Sequence, residues 1–141
     1  MKRTKQLNQI AKAIREFYKS LKNEFNAILE SEGFTNGEFL LLKSIALSGN
    51  KKISEIAKEL CVTMPYLTSL ADKMVKKKYL ERIQSKEDRR IVIIRLTPKG
   101  IKIYSKLDAV VHKNLEKKFD KLTNQELETF EKLLQKVSNL T

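Results

Sequence analysis

Apolar residues recur along this chain at steps of three and four, the spacing that places them on one face of an α-helix. The first such run covers roughly residues 4–30 and predicts a long amphipathic helix that breaks at Gly33. A second run reaches about Leu47. It opens with Thr35 and Glu38 at the spacing of a capping box, in which each side chain accepts the backbone amide of the other. This pairing predicts a well-defined helix start.

Two shorter apolar runs follow and predict a third and a fourth helix. Ser54 is at the capping position of the third helix. A short turn at Cys61 and Val62 leads to Thr63, which caps the fourth helix, and Pro65 suits its first turn. Side chains at helical spacing let the two helices face each other: Ile56, Ala57 and Leu60 against Leu67, Leu70, Ala71 and Met74. This arrangement is typical of a helix-turn-helix.

The pattern then changes from helix to strand. "YLERIQ" and "RIVIIRL" are predicted to be two strands, because β-branched residues dominate the second, and the polar "SKEDR" between them is predicted to be a hairpin loop. Thr97-Pro98 supplies a cap and a first-turn proline for a fifth helix of about 20 residues. Thr123 and Glu126 repeat the capping-box spacing and open a sixth helix.

Four helices, a hairpin and two more helices make the order of a winged helix-turn-helix with helical flanks. We predict a mainly α fold with a small β-hairpin wing, organised in two lobes. The winged helix-turn-helix lobe covers 31–99, with a recognition helix at about 63–77 and a wing at about 79–96. A helical dimerisation lobe combines 1–30 with 100–141. These flanking helices are too long and too apolar for a monomer to cover easily.

The distribution of charge indicates the kind of partner. The chain carries a net charge of +12, from 29 Lys and Arg against 17 Asp and Glu, and such an excess attracts polyanions. The stretch Thr63–Lys99, which contains the fourth helix and the hairpin, holds ten basic and four acidic residues, a net +6. Charge concentrated there favours nucleic acid over a membrane surface. Double-stranded DNA is therefore the expected partner.

Other classes of function find little support. One cysteine, Cys61, excludes an intrachain disulfide and fits a reducing compartment. The start of the chain lacks the apolar core of a signal peptide, and no apolar run approaches the roughly 18 residues of a membrane span, so we expect a cytoplasmic location. No glycine-rich phosphate loop or nucleophile elbow occurs, and His112 has no second ligand at metal-binding spacing. We expect no enzyme activity, no metal and no cofactor.

The outer face of the fourth helix carries the candidate DNA contacts. A recognition helix enters the major groove by its N-terminal end. There, the hydroxyls of Thr68 and Ser69 can bond bases or phosphates, while Met64 and Tyr66 can touch thymine methyl groups. This end has no Arg, Asn or Gln, which predicts modest base readout and a larger share for DNA shape. The predicted contacts on this helix, including two lysines at phosphate positions, are Thr63, Met64, Tyr66, Thr68, Ser69, Lys73 and Lys76.

The stretch "ISEIAKELCVTMPYLTSLADKMVKKKYLERIQSKEDRRIVIIRLTPKG" resembles the central pattern of the MarR family of multiple-antibiotic-resistance-type regulators. It shares the hairpin motif Asp-x-Arg, here at 88–90, and the Leu-Thr-x-x-Gly that follows the second strand, here at 96–100. The flanking helices agree in length and order, so the resemblance covers essentially the whole chain. It implies a homodimer whose two winged lobes straddle a pseudo-palindrome, with the first, fifth and sixth helices as the dimer lobe.

The resemblance also implies roles at the hairpin tip. The wing arginine of the family enters the minor groove, where a nearby aspartate steadies it. Carried over, this assigns the minor groove to Arg90 and the orienting role to Asp88. A narrow A·T-rich minor groove has a strongly negative potential that attracts arginine. Arg89 is expected to contact phosphate; the alternative for both arginines is a solvated hairpin tip.

This sequence departs from the family pattern at three places. Lys78 stands where many members have glycine before the first wing strand, so that turn is expected to be longer or strained. Cys61 occupies the turn of the helix-turn-helix, where glycine or asparagine is frequent. We expect Cys61 to be a small, partly buried structural residue; the alternative, an oxidant sensor, would need an exposed and activated thiol. Met64-Pro65 replaces a more polar start of the recognition helix.

The resemblance implies an effector pocket where the first, second and fifth helices meet the winged lobe, and the family often binds small aromatic anions there. Residues of this chain that could line it are Phe17, Tyr18, Phe25, Phe39 and Leu42. Each of them is more simply explained as a core residue. Two alternatives to a regulator stay open: an architectural, weakly specific DNA-binding protein, and an interaction module whose basic face meets an acidic protein.

Overall fold

The computed structural model describes residues 1–138 and confirms the mainly helical, winged architecture. The chain divides into two compact units, Met1–Val111 and a second unit that starts at His112. Its elements are α1 Lys2–Ser31, α2 Asn36–Ser48, β1 Lys51–Lys52, α3 Ile53–Leu60, α4 Met64–Lys76, β2 Leu80–Gln84, β3 Val92–Leu96, α5 Pro98–Lys118 and α6 Asn124–Ser138. No helix within residues 1–138 combines the length and the apolar character that a membrane span requires.

The wing is a three-stranded antiparallel sheet in the order β1-β3-β2. In the predicted hairpin, Leu80 lies opposite Leu96 and Gln84 opposite Val92. The sequence predicted only the two strands of the hairpin, and the structure adds a third, β1, in which Lys51 and Lys52 pair with β3. A strand of two residues is too short to show the alternation by which strands are predicted.

Threonines start four of the helices as predicted. Thr35 and Glu38 form a complete capping box on α2, and Thr123 and its glutamate form another on α6. Thr63 accepts an amide of the first turn of α4, and Thr97 does so on α5. The prediction that Ser54 caps α3 is wrong. That helix begins earlier, with Lys52 as its cap and without a side-chain capping bond, because strand β1 leads straight into it.

The core of the first unit lies where the helices meet the sheet. Its fully buried aliphatic side chains come from α1 to α5 and from both long strands: Leu29, Leu41, Leu42, Ile56, Leu67, Met74, Leu80, Ile94 and Leu107. The predicted helix-turn-helix face is confirmed, with Ala57 and Ala71 buried between α3 and α4. Burial of this face positions the opposite side of α4 toward solvent.

Three helices of the first unit end in the same hydrogen-bond pattern, the Schellman motif, which needs one residue in the left-handed conformation. Gly33 supplies it after α1, with φ +84°. Cys61 does so after α3 with φ +56°, and Lys78 after α4 with φ +67°. In the last case the amide of Tyr79 donates to Met74 at 3.0 Å. The expected strain at Lys78 is therefore present, because a side chain there costs energy that glycine does not.

We expect Lys78→Gly to raise the free energy of unfolding by about 0.5–1 kcal/mol. The left-handed conformation costs a residue with a Cβ roughly 1–2 kcal/mol, and the greater freedom of glycine in the unfolded chain offsets part of the gain. Urea denaturation followed by circular dichroism measures the change. Lys76→Gly is the matched control, because Lys76 is helical and its replacement should destabilise. Equal effects of both substitutions would contradict the account.

The start of α5 is docked onto the turn that follows α4. The Thr97 hydroxyl donates to the carbonyl of Lys78 at 2.6 Å, and the Thr97 amide donates to that of Tyr79 at 3.1 Å. Gly100 lies so close that a Cβ built on it would be 2.0 Å from the Tyr79 carbonyl oxygen. Only glycine fits there, which explains physically why Leu-Thr-x-x-Gly follows the wing.

Candidate nucleic-acid interface

The predicted contact face of α4 is accessible. Thr68 is half-buried, whereas the other six predicted residues are exposed: Thr63, Met64, Tyr66, Ser69, Lys73 and Lys76. The N-terminal end of the helix is held by the Thr63 side chain, which accepts the Tyr66 amide at 3.3 Å. The structure thus brings the predicted face together on one solvent-facing side of a capped helix. Their roles in binding stay predictions.

Tyr66 is positioned by a contact that the sequence did not indicate. A Cβ built on Gly37, in the first turn of α2, would lie 2.4 Å from the Tyr66 hydroxyl oxygen. The tyrosine side chain therefore lies against the backbone at the start of α2. The hydroxyl end of the ring is thus placed against α2, while the residue remains 48% exposed.

The hairpin tip is ordered by a fork between Asp88 and Arg90. Arg90 Nε donates to Oδ1 of Asp88 at 3.1 Å, and Nη2 donates to Oδ2 at 3.2 Å. The backbone amide of Arg90 also donates to Oδ1, at 3.0 Å. The side chain and then the backbone amide of Arg90 lower the pKa of Asp88 below its ordinary value. The carboxylate is therefore kept charged and bound.

Arg90 is nevertheless free to meet a ligand, since its side chain is 90% exposed. A guanidinium carries five N–H donors, of which Asp88 engages two. The remaining donors have their direction set by the fork. The neighbouring residue is tied through its backbone, because Gln84 Nε2 donates to the Arg89 carbonyl at 3.2 Å. At the tip, the guanidinium of Arg90 is therefore held in one direction. Arg89 has its backbone carbonyl bound and its side chain exposed.

Two ion pairs hold the wing in place. Arg82 on β2 pairs with Asp72 on the outer face of α4, which links the wing to the recognition helix. Arg95 on β3 pairs with Glu81, directly opposite it on β2. The pairing of Asp72 with Arg82 was not predicted from the sequence. Residues ten positions apart on different elements carry no periodic signal that could have revealed the pair.

The lysine at position 73 also has a partner that was missed. Lys73 Nζ lies 3.8 Å from Oε2 of Glu38, the capping-box residue of α2, and Lys77 Nζ lies 3.9 Å from the same oxygen. Glu38 was predicted only as a cap. Its spacing to Thr35 explains the capping role, but the contact with α4 depends on how the helices pack.

The five residues predicted to line an effector pocket differ in their exposure to solvent, and two of them are buried. Phe39 and Leu42 are buried, Phe17 and Phe25 are half-buried, and Tyr18 is exposed. The ring of Phe39 stacks on Tyr104 at 6.1 Å between centroids. A cleft of about 420 Å³ next to this stack is lined by residues of α2, β3 and α5 and by Asn50 of the loop after α2: Ile45, Ala46, Asn50, Arg95, Leu96, Ile101, Tyr104 and Ser105. The five-residue pocket stays a prediction.

Cys61 and His112 differ in how they match expectation. Cys61 is exposed, so the expectation of a partly buried cysteine is wrong. Cys61 adopts a left-handed backbone conformation in the turn that follows α3. His112 is exposed and lies 3.3 Å from Glu116 one helical turn on. Among the residues that the structure describes, no cluster of three His, Cys, Asp or Glu could hold a metal ion.

Comparison with known proteins gives a consistent result. A family model described as MarR family matches residues 34–92. The uncharacterized HTH-type transcriptional regulator YpoP of Bacillus subtilis is 34% identical over 135 residues, which are 96% of this chain and 95% of that protein. The multiple antibiotic resistance protein MarR of Escherichia coli is 33% identical over 118 residues, covering 83% and 80%. A crystal structure of a mutant of that protein complexed with operator DNA has a TM-score of 0.79 at 28% identity, covering 94% of this chain and 95% of that one.

Proposed function

Because the chain belongs to the MarR family of DNA-binding transcriptional regulators, we propose that it acts in the cytoplasm as a homodimeric repressor on a pseudo-palindromic operator. The observation that carries the proposal is the combination of an exposed, capped helix α4 with an arginine aimed from the adjacent wing. The two elements are tied to each other by the Asp72–Arg82 pair. A helix and a wing held in one orientation can engage neighbouring grooves of a duplex.

In this proposal each contact follows from its chemistry. The start of α4 enters the major groove, where Thr68 and Ser69 offer hydroxyls and Met64 and Tyr66 offer apolar contact. Thr63, Lys73 and Lys76 contact the phosphate backbone, and so does Arg89. Arg90 enters the minor groove with Asp88 behind it, where a narrow A·T-rich groove favours a guanidinium. Phosphate contacts set affinity, and groove contacts together with DNA shape set specificity.

The homodimer is supported by two apolar stripes that the described chain leaves uncovered. One runs along α1 and consists of Leu7, Ile10, Ile14 and Tyr18. The other lies on α6, where no described residue is buried, and consists of Leu127, Phe130, Leu133, Leu134 and Val137. Stripes of this size on helices of a protein in water call for a partner surface, and a second copy of the chain supplies the same pattern.

Repression and its release complete the proposal. A dimer that spans two half-sites about one helical turn apart covers the operator and excludes other proteins from it. A small aromatic anion that bound near α1, α2 and α5 would shift the population toward a spacing of the two wings that no longer fits DNA. The cleft beside Tyr104 offers apolar side chains for an aromatic ring, and it offers Asn50, Ser105 and Arg95, the last already paired with Glu81, for a polar group.

Sedimentation velocity tests the proposal, with and without a mixture of genomic duplex fragments, at low and at physiological salt. We expect a dimer in the absence of DNA, a complex of one dimer per duplex, and an affinity that falls steeply as salt rises. An interaction module for acidic proteins would form no complex with DNA at physiological salt. An architectural protein would bind all fragments with equal affinity.

A further inference from the structure

Glu38 is a buried carboxylate next to the helix that is proposed to meet DNA. Its side chain is 1% exposed. One oxygen, Oε1, accepts the backbone amide of Thr35 at 2.9 Å and so closes the capping box. The other oxygen, Oε2, is buried and has no hydrogen-bond partner among the described residues. A buried charge in this situation is costly unless opposite charge lies close by.

Lys73 of α4 and Lys77, the C-cap residue of that helix, supply the opposite charge. Their ammonium nitrogens lie 3.8 Å and 3.9 Å from Oε2, for Lys73 and Lys77 respectively. The two lysines are one helical turn apart and therefore share a side of the helix. Their side chains are 53% and 43% exposed, so each ammonium group remains within reach of a ligand in solvent. The carboxylate thus draws two cations toward the point where α2 meets α4.

We infer that Glu38 limits how strongly the surface around Lys73 and Lys77 binds phosphate. Glu38 also sets the position from which the Lys73 ammonium group binds phosphate. The inference rests on the proposed function, in which Lys73 contacts the DNA backbone. A phosphate that approaches Lys73 has to share its ammonium group with the carboxylate, whose own charge repels the phosphate. Glu38 is therefore a positioning residue that acts through the lysines.

The consequence for function concerns DNA outside the operator. Phosphate contacts bind every duplex alike, so stronger contacts increase the time spent on non-operator DNA. A buried negative charge beneath Lys73 and Lys77 reduces this sequence-independent affinity without altering groove contacts. The recognition face can then remain basic while its affinity for DNA of arbitrary sequence stays low.

Glu38→Gln tests the inference, because glutamine keeps a side-chain oxygen for the Thr35 amide and removes the charge. The probe is a fluorescent duplex of random sequence, titrated by anisotropy over a range of salt concentrations. We expect Glu38→Gln to bind this duplex roughly three- to tenfold more tightly at low salt, because ammonium groups are freed for phosphate. The salt dependence should also steepen by about one unit of the log–log slope.

Glu126→Gln is the matched control. The second capping box has the same hydrogen-bond lengths as the first, 2.9 Å and 3.1 Å, and the substitution raises net charge equally. Among the described residues Glu126 forms no ion pair with a lysine. We expect its affinity to stay within about twofold of the wild type. Equal tightening in both variants would overturn the inference, since net charge alone would then explain it.

A measurement without DNA separates this inference from the proposed function. Lys73→Met should lower the urea midpoint in the wild type, and it should lower it less in the Glu38→Gln background, because the pairing is already lost. Equal losses in both backgrounds would overturn the pairing while leaving DNA binding intact. A wild-type protein that binds no duplex at low salt would overturn the proposed function and, with it, the role of Glu38 toward phosphate.

Discussion

Arg90→Ala is expected to weaken binding to a palindromic duplex with A·T-rich flanks by at least about tenfold. One groove contact is worth roughly 1–3 kcal/mol, and the proposed dimer would make two such contacts, one from each wing. The fork with Asp88 holds the exposed guanidinium in one direction before DNA arrives, so little ordering is needed on binding. Gel-shift titrations on duplexes with A·T-rich and G·C-rich flanks measure the effect. The loss should be smaller on the G·C-rich flanks, and unchanged affinity together with unchanged flank preference would contradict the minor-groove role.

Two companion variants separate orientation from charge at the same tip. Asp88→Asn removes a negative charge, so a purely electrostatic account predicts tighter binding. We expect weaker binding instead, because Arg90 loses its charge-assisted fork and its direction. Arg89→Ala removes an exposed cation whose side chain forms no ion pair in the described structure, and it should cause a smaller loss that is alike on all duplexes.

Gly100→Ala is expected to lower the free energy of unfolding by roughly 2–4 kcal/mol, which is large for a single methyl group. The new Cβ would lie 2.0 Å from the Tyr79 carbonyl oxygen, so backbone has to move. That carbonyl also accepts the Thr97 amide, and the start of α5 is anchored there. Movement at this point therefore disturbs both the end of β3 and the first turn of α5. Urea denaturation measures the loss.

Gly33→Ala is the control for conformational strain. Gly33 has φ +84°, and a Cβ on it would meet no atom within 4 Å. Its replacement should cost about 1 kcal/mol, which reflects the left-handed conformation alone. A loss for Gly100→Ala no larger than that of Gly33→Ala would show that the close approach at Tyr79 is tolerated.

The features of this fold that could be predicted from the sequence are those that depend on residues close together along the chain. The capping boxes at Thr35 and Thr123 depend on residues three positions apart, and both formed as expected. The pairing face of α3 and α4 follows from helical periodicity, and its alanines are buried. The fork at 88–90 was expected from the resemblance to the family, and it forms between an aspartate and an arginine only two positions apart.

The features that escaped prediction depend on packing between distant segments. Strand β1 exists because β3 offers it an edge, and nothing in the segment 49–52 shows strand periodicity. That strand in turn moves the start of α3 away from Ser54. The pairing of Glu38 with Lys73 requires the relative placement of α2 and α4. Cys61 is exposed and has a left-handed backbone, and its residue type alone revealed neither.

The most direct test of the central claim is selection of bound fragments from sheared genomic DNA by the purified wild-type protein, followed by sequencing. The account predicts enrichment of a pseudo-palindrome with half-sites about one helical turn apart and A·T-rich positions where the wings reach the minor groove. Repeating the selection with Arg90→Ala should remove the A·T preference and keep the half-sites. Fragments recovered in proportion to their abundance, with no shared palindrome, would contradict a sequence-specific dimeric regulator.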